Sequence, residues 1–288
     1  MESNGTPAAA AGEISLGDLI VRRIGFGAMR ITGDGIWGEP DDPQAARALL
    51  RRVVELGVNL IDTADSYGPE VSERLIREAL HPYPDGLVIA TKGGLLRDGP
   101  GQWRPDCRPE HLKEACEASL RRLRLDTIDL YQLHTPDPKV PFEESVGALS
   151  ELREEGKVRN VGLSNVGRRH IAQAQEIVPI VSVQNRYSLT SRDSEPVLEL
   201  CAKEALGFIP WFPLDTGALA QSSELQDSAE RHGATTGQIA LAWLLQHSPV
   251  MLPIPGTSSI EHLEENVAAA SIRLGDDELA QLETAVAA

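Results

Sequence analysis

The sequence predicts an α/β protein of the (β/α)8 barrel class, and three observations carry that reading. Short runs rich in Val, Ile and Leu recur at residues 25–29, 58–61, 87–90, 128–133, 158–163, 180–183, 208–212 and 251–254. Between them lie longer segments with helical apolar spacing, the signature of parallel strands buried on both faces beneath covering helices. Eight such βα units within 288 residues match the size of a closed barrel.

The elements follow in order. Residues 1–12 contain Asn4, Gly5, Pro7 and the alanines 8–11, and read as a flexible tail. Residues 13–288 read as one barrel domain, since no linker, charge run or low-complexity block divides them. Residues 14–24 precede the first unit and suit a small β-hairpin plugging the barrel floor. Asp42-Pro43 reads as an N-cap followed by proline at the first helical position. Ala46, Leu49, Leu50, Val53 and Leu56 then form one stripe that stops at Gly57. Leu112, Cys116, Leu120 and Leu123 repeat the stripe after Pro109, and Val146, Leu149 and Leu152 repeat it before Gly156. Ile239, Ala242, Trp243 and Leu245 mark a further helix. The competing open doubly wound sheet needs a Gly-rich turn opening a helix. Gly25-Phe26-Gly27 is the sole early candidate; Arg30 stands where the third glycine belongs, and Gly33-Asp34-Gly35 makes a loop. That architecture is rejected.

Composition narrows the function classes. Lys and Arg number 27 against 43 Asp and Glu, a net charge of −16. A chain this acidic argues against nucleic-acid binding and against a polybasic membrane anchor. No apolar run approaches the ~18 residues of a membrane span, and the N-terminal residues lack the pattern of a secretory signal. Cys107, Cys116 and Cys201 are few and not in CxxC spacing, so a disulfide scaffold or cysteine-rich zinc site is not expected and a reducing cytoplasm is. The strand ends show no carboxylate or histidine cluster suited to a metal.

In such a barrel the chemistry sits beyond the C-terminal ends of the strands. Asp62 follows the run 58–61, with Tyr67 five residues later. Lys92 follows 87–90, and His134 follows 128–133. Taken singly, each has a plainer reading: Asp62 as a turn former, Tyr67 as packing, Lys92 as a solvated charge, His134 as a structural hydrogen-bonding group. Their joint occurrence at one register in successive units favours a site. Together they suit carbonyl reduction. Hydride addition makes an alkoxide that needs a proton donor. A phenol, with an ordinary pKa of ~10, becomes a better donor beside a lysine ammonium that favours the phenolate. Asp62 would hold that lysine charged and aimed, and His134 would orient the substrate oxygen.

Asp62, Tyr67, Lys92 and His134 resemble the tetrad of the aldo-keto reductase family in type, order and strand position. The resemblance runs from Gly25-Phe26-Gly27-Ala28-Met29 to Leu263-Glu264-Glu265-Asn266, through Gly162-Leu163-Ser164-Asn165, Val183-Gln184-Asn185, Trp211-Phe212-Pro213-Leu214 and Ile254-Pro255-Gly256-Thr257-Ser258. Gly35-Ile36-Trp37-Gly38-Glu39-Pro40 looks like bacterial members related to pyridoxal reductases. The resemblance implies NADPH as cofactor, with NADH a possible substitute, and hydride transfer from nicotinamide C4 while Tyr67 protonates the oxygen. It implies cofactor contacts at Ala28, Met29, Asp62, Ser164, Asn165, Gln184, Trp211, Phe212, Pro213, Leu214, Gly256, Ser258, His262, Glu265 and Asn266. Ser164, Asn165 and Gln184 would hold the carboxamide, Trp211 would stack on the ring, and Glu265 and Asn266 would sit against the adenine. Ser258-Ser259-Ile260-Glu261 also has the form of a capping box opening a helix whose N-terminus suits a phosphate.

Two departures from the family pattern stand out. Gly256 and His262 occupy positions where NADPH-specific relatives carry Lys and Arg, so the NADPH preference falls to Ser258, His262 and backbone amides. Met29, Ile36, Trp37 and Trp103 are candidates for an apolar rim, Trp37 and Trp103 above all, around a small-molecule carbonyl substrate. They serve equally well as surface cover. A cofactor-binding regulatory subunit with little turnover remains the alternative to an enzyme, and nothing in the sequence speaks to oligomeric state.

Overall fold

The structure, a computed structural model, describes residues 5–214 and 222–286. Two hairpins, β1 (Glu13–Leu16) with β2 (Leu19–Arg22) and β6 (Leu95–Gly99) with β7 (Gln102–Pro105), stand apart from the main sheet. The centre is a curled parallel sheet in which β3 (Phe26–Gly27), β4 (Leu60–Asp62), β5 (Val88–Gly93), β8 (Ile128–Leu133), β9 (Val158–Ser164), β10 (Ile180–Arg186) and β11 (Gly207–Trp211) lie side by side in chain order. In the register Leu60 faces Val88, Ala90 faces Leu130, Leu130 faces Asn160 and Val183 faces Phe208, with one shift between Ile180 and Ser182 where β10 pairs with β9. The eighth run closes the circle with few bonds. Phe208 N donates to Val250 O and Leu252 N to Phe208 O, both at 2.9 Å, and Gly25 N donates to Pro253 O at 2.9 Å on the other side. Pro253 and Pro255 have no N–H to give a ladder, so this segment pairs as a bridge rather than a full strand.

Helices cover the outside. Asp42 caps α1 (Pro43–Glu55), its carboxylate accepting from Gln44 N at 2.8 Å and Ala45 N at 3.0 Å. Ala46, Leu49, Leu50 and Val53 are its buried stripe, as the spacing predicts. The helix Thr236–His247 is apolar on every side from Ile239 to Leu245 and is buried throughout that stretch. Among the described residues, no helix is long and apolar enough to cross a membrane. Cys107, Cys116 and Cys201 are free and buried, and burial pushes each thiol up to about 12.

The predicted hairpin forms. β1 (Glu13–Leu16) and β2 (Leu19–Arg22) pair antiparallel, and Leu16, Leu19 and Val21 join Leu60, Val88, Ala90, Leu130, Ile209 and Leu252 in one cluster inside the barrel. Residues 5–12 depart from the flexible tail expected for 1–12, of which residues 1–4 lie outside the described residues. Pro7–Ala11 is a 3-10 turn with Ala8 wholly buried and its N–H bonded to Leu56 O at 3.0 Å. Small side chains permit this: alanines fit flat against the end of α1, where longer residues would stand off.

The capping box also shifts. Ser259, not Ser258, caps the helix Ile260–Ala268, its Oγ accepting from His262 N at 3.2 Å while bonded to Glu261 Oε2 at 2.7 Å. Thr257 Oγ1 accepts from Ser259 N at 3.1 Å, and this turn delays the helix start by one residue.

Candidate active site

Three strand ends and one loop assemble the four predicted residues. Asp62 ends β4, and the chain from Thr63 to Glu70 is pinned to β5: Thr63 N donates to Ala90 O at 2.8 Å and Asp65 N to Lys92 O at 3.4 Å. Tyr67 N then turns back to Ala64 O at 3.2 Å, which points the phenol inward. Lys92 lies on β5 directly opposite Gln132 of β8, and His134 N donates to Gly93 O at 2.9 Å. Parallel pairing thus brings residues distant in sequence to one level of the barrel.

The four predicted residues meet. Lys92 Nζ donates to Asp62 Oδ2 at 2.6 Å, Thr63 O at 2.9 Å and Tyr67 Oη at 3.3 Å, saturating an ammonium with no solvent exposure at all. The His134 ring stands 5.8 Å from the Tyr67 ring, nearly perpendicular, and its Nδ1 is 3.5 Å from Ser66 Oγ. Asp62 needs more than one partner because a buried carboxylate must have its lone pairs filled. Gln132 Nε2 donates to its Oδ1 at 3.0 Å and Gln184 Nε2 at 2.8 Å.

The electrostatics correct one expectation. Burial raises the Tyr67 phenol above its ordinary value; Lys92 opposes this without overcoming it. The phenol stays protonated, and the lysine's effect is to stabilise phenolate once the proton leaves. Burial works to discharge Lys92, yet Asp62, followed by Tyr67, holds its pKa raised. His134 is pushed well below its ordinary value by burial and then by Lys92, so its imidazole is neutral at neutral pH.

A second buried network, absent from the sequence reading, lies behind the loop. Glu73 is fully buried, accepting from Thr91 Oγ1 and from Arg122 Nε, both at 2.6 Å. Asp65 Oδ1 is buried with no hydrogen-bond partner among the described residues, and burial followed by the Glu73 charge raises its carboxyl to about 8. Gln132 is legible only as a polar residue inside an apolar run, and Ser66 and Glu73 stand among other polar residues, signals too weak to assign a partner.

Above the tetrad opens a cavity of about 390 Å³. Of the residues read as cofactor contacts, Met29, Asp62, Ser164, Asn165, Gln184, Trp211, Phe212, Pro213, Leu214 and Gly256 line it. Asn165 links two walls, donating from Nδ2 to His134 O at 2.9 Å and accepting from Trp211 Nε1 at 3.1 Å. Gly27 and Gly256 bring two backbones together on one wall; a Cβ at Gly256 would lie 2.5 Å from Gly27 O. Ala28, Ser258, His262, Glu265 and Asn266 do not line the cavity. Ala28 is buried with its carbonyl accepting from Ser72 Oγ at 2.9 Å. The other four lie on or just before Ile260–Ala268, with Ser258, His262 and Glu265 exposed. Trp103 lines the cavity with Ile36 and Leu95, whereas Trp37 stands outside it over the Arg97 guanidinium.

The comparisons agree with this geometry. Residues 23–287 match the Aldo/keto reductase family. An uncharacterized oxidoreductase of Schizosaccharomyces pombe is 52% identical over 98% of this chain and 92% of its own length. Pyridoxine 4-dehydrogenase of Escherichia coli is 43% identical over 93% and 96% respectively. The crystal structure of an aldo-keto reductase from Klebsiella pneumoniae in complex with NADPH superposes with a TM-score of 0.79 at 31% identity, covering 92% of this chain and 91% of that one. This chain belongs to the aldo/keto reductase family of NAD(P)H-dependent oxidoreductases.

Proposed function

We propose that the protein uses NADPH to reduce aldehydes or ketones to alcohols, with Tyr67 as the proton donor. One observation carries the reading: a buried phenol lies 3.3 Å from an ammonium that a buried carboxylate holds at 2.6 Å, beneath an apolar cavity. The cavity's donor set fits the cofactor, since the Ser164 hydroxyl and the Asn165 and Gln184 amides suit a carboxamide and Trp211 offers an indole edge beside them. When bound, NADPH supplies hydride to the carbonyl carbon.

The chain's own task is the proton. Tyr67, kept neutral by burial, gives its proton to the oxygen as negative charge builds there. Lys92 then stabilises the phenolate, and Asp62 keeps Lys92 charged and aimed, itself steadied by Gln132 and Gln184. Neutral His134 with its proton on Nε2 can donate to the same oxygen, the tautomer that a Ser66 hydroxyl near Nδ1 favours. Trp103, Ile36 and Leu95 offer apolar surface to the rest of the substrate. The E. coli relative's name, pyridoxine 4-dehydrogenase, makes a pyridoxal-like ring aldehyde a natural candidate. Ser258, His262 and the backbone amides opening Ile260–Ala268 are assigned to the adenosine phosphate.

The test is NADPH oxidation with 4-nitrobenzaldehyde, phenylglyoxal, methylglyoxal and pyridoxal, using Tyr67→Phe beside the parent protein. The substitution should lower kcat by ~10²–10⁴-fold while cofactor affinity is retained. Equal turnover in the two proteins would remove Tyr67 as donor, and no turnover with tight NADPH binding would turn the reading to a regulatory subunit. Fluorescence titration should show NADPH bound more tightly than NADH; equal dissociation constants would withdraw the phosphate assignment.

A further inference from the structure

The loop that carries Tyr67 and the rim of the cavity meet at one side chain that plays no part in proton transfer. Arg97 lies on Leu95–Gly99, directly opposite Trp103 on Gln102–Pro105, in the hairpin that follows the strand bearing Lys92. Its Nη1 donates to Ile36 O at 2.6 Å and to Ser66 O at 3.4 Å. Its Nη2 donates to Gly35 O at 2.8 Å and to Gly99 O at 3.3 Å. One planar fork therefore ties together the 33–38 loop, the Tyr67 loop and the hairpin, all through backbone carbonyls. Among the described residues no carboxylate pairs with it, and burial is what lowers its pKa. The guanidinium carbon lies 3.8 Å from the ring centre of Trp103 and 5.7 Å from that of Trp37, so the cation lies over two indoles.

What Arg97 holds is strained. Ile36 has a φ of 58°, beside Gly35 at 66°. A β-branched residue in the left-handed region is a backbone outlier, and such outliers persist only where the surroundings over-determine them. Here Arg97 takes the carbonyls of both residues, and Gly38 N donates to Gly68 O at 2.6 Å to anchor the far end of the loop. Ile36 and Trp103 line the cavity together with Tyr67 and His134, and Trp103 stands edge-on to Tyr67 with centroids 6.5 Å apart. The strain is thus located where the cavity takes its shape.

We propose that Arg97 is a positioning residue for substrate choice: its fork fixes Ile36 and Trp103 as apolar walls beside Tyr67, and the pocket thereby selects carbonyl compounds bearing an aromatic ring over small aliphatic ones. This rests on the reading that Tyr67 serves a carbonyl. An aryl aldehyde gains from both walls because it has apolar area to bury, whereas methylglyoxal has little. A lysine cannot replace the arginine, since a point charge on a flexible stem does not bridge three loops in one plane.

The test compares Arg97→Met and Arg97→Lys with the parent protein and with Arg104→Met, a control on the same hairpin whose arginine pairs with Asp98 at the surface. NADPH oxidation is followed with 4-nitrobenzaldehyde and with methylglyoxal. Binding of 4-nitrobenzaldehyde in the presence of NADP+ is titrated separately by quenching of tryptophan fluorescence. In both Arg97 variants the ratio of kcat/KM for the aryl aldehyde over methylglyoxal should fall about tenfold or more. The fall should come through KM, and the aryl dissociation constant should rise by a similar factor. The Arg104→Met ratio should stay at the parent value, and added guanidinium ion should restore part of the lost ratio in Arg97→Met. An unchanged ratio, or equal loss with both carbonyls, would overturn the proposal. Absence of turnover with every carbonyl in the parent protein would sink the reading of Tyr67, while the binding titration still decides Arg97. Should Arg97→Met fail to fold, Arg97→Lys carries the comparison.

Discussion

At the floor of the barrel Leu60, Val88, Ala90 and Leu130 meet Leu16, Leu19 and Val21 of the hairpin in an apolar cluster. Two residues further along the same strands stand Asp62, Lys92 and Gln132, bonded to one another. Successive side chains alternate between the faces of a strand, so positions two apart share the interior, about 7 Å apart along it. Within one step the barrel interior passes from interchangeable apolar volume to groups that each require a particular partner. The lower layer is held by packing that many side chains share. The upper layer is held pairwise, so losing one member strands the others.

That contrast is open to direct attack. The largest effect is expected for Asp62→Asn, which leaves the Lys92 ammonium buried without its countercharge. Removing one partner of a buried pair costs about 3–5 kcal/mol, read by urea unfolding, and carbonyl reduction should be lost along with it. Retained stability together with retained turnover would show that Thr63 O and Tyr67 Oη suffice for Lys92. Leu16→Ala at the floor should cost about 2–5 kcal/mol through the cavity it leaves, yet kcat should remain near the parent value. A parallel collapse of kcat would mean the two layers are mechanically coupled and the contrast is false.

A smaller and sharper effect is expected in the pH dependence of stability. His134 titrates below its ordinary 6.5 in the folded protein, so the unfolded chain binds the extra proton first as pH falls. Its contribution to stability is therefore present above ~6.5 and lost below it. Urea unfolding of His134→Gln at successive pH values should show a shallower decline on the acid side than the parent protein does. Identical slopes would mean that His134 is not held neutral by the fold.

Much of this is legible in the sequence itself. The apolar runs located the strands because a parallel strand buried on both faces has little choice but Val, Ile and Leu. The tetrad was legible because ionisable residues at strand ends are conspicuous against such runs. Asp42-Pro43 announced a helix start that the structure repeats. Other features were not legible, for physical reasons. The 1–12 segment read as a tail because alanine carries no strong pattern, yet Ala8 finds a flat seat against Leu56. Ser258 and Ser259 are equally good caps in isolation, and the Thr257 side chain decides between them. The effect of Lys92 on Tyr67 had the right sign but was outweighed by burial, a quantity that depends on everything packed around the ring.

By itself the sequence determined the order of strands and helices, the hairpin at the floor and the identity of the four residues at the mouth, because each follows from patterns spanning a few neighbouring positions. Only the tertiary structure decided what those residues touch. Gln184 reaches Asp62 across 122 positions, and Arg97 reaches Gly35 across 62. Such bonds exist only once the barrel closes and brings its strand ends to one level. A side chain's partner is set by distance in space, and local pattern carries no measure of that distance.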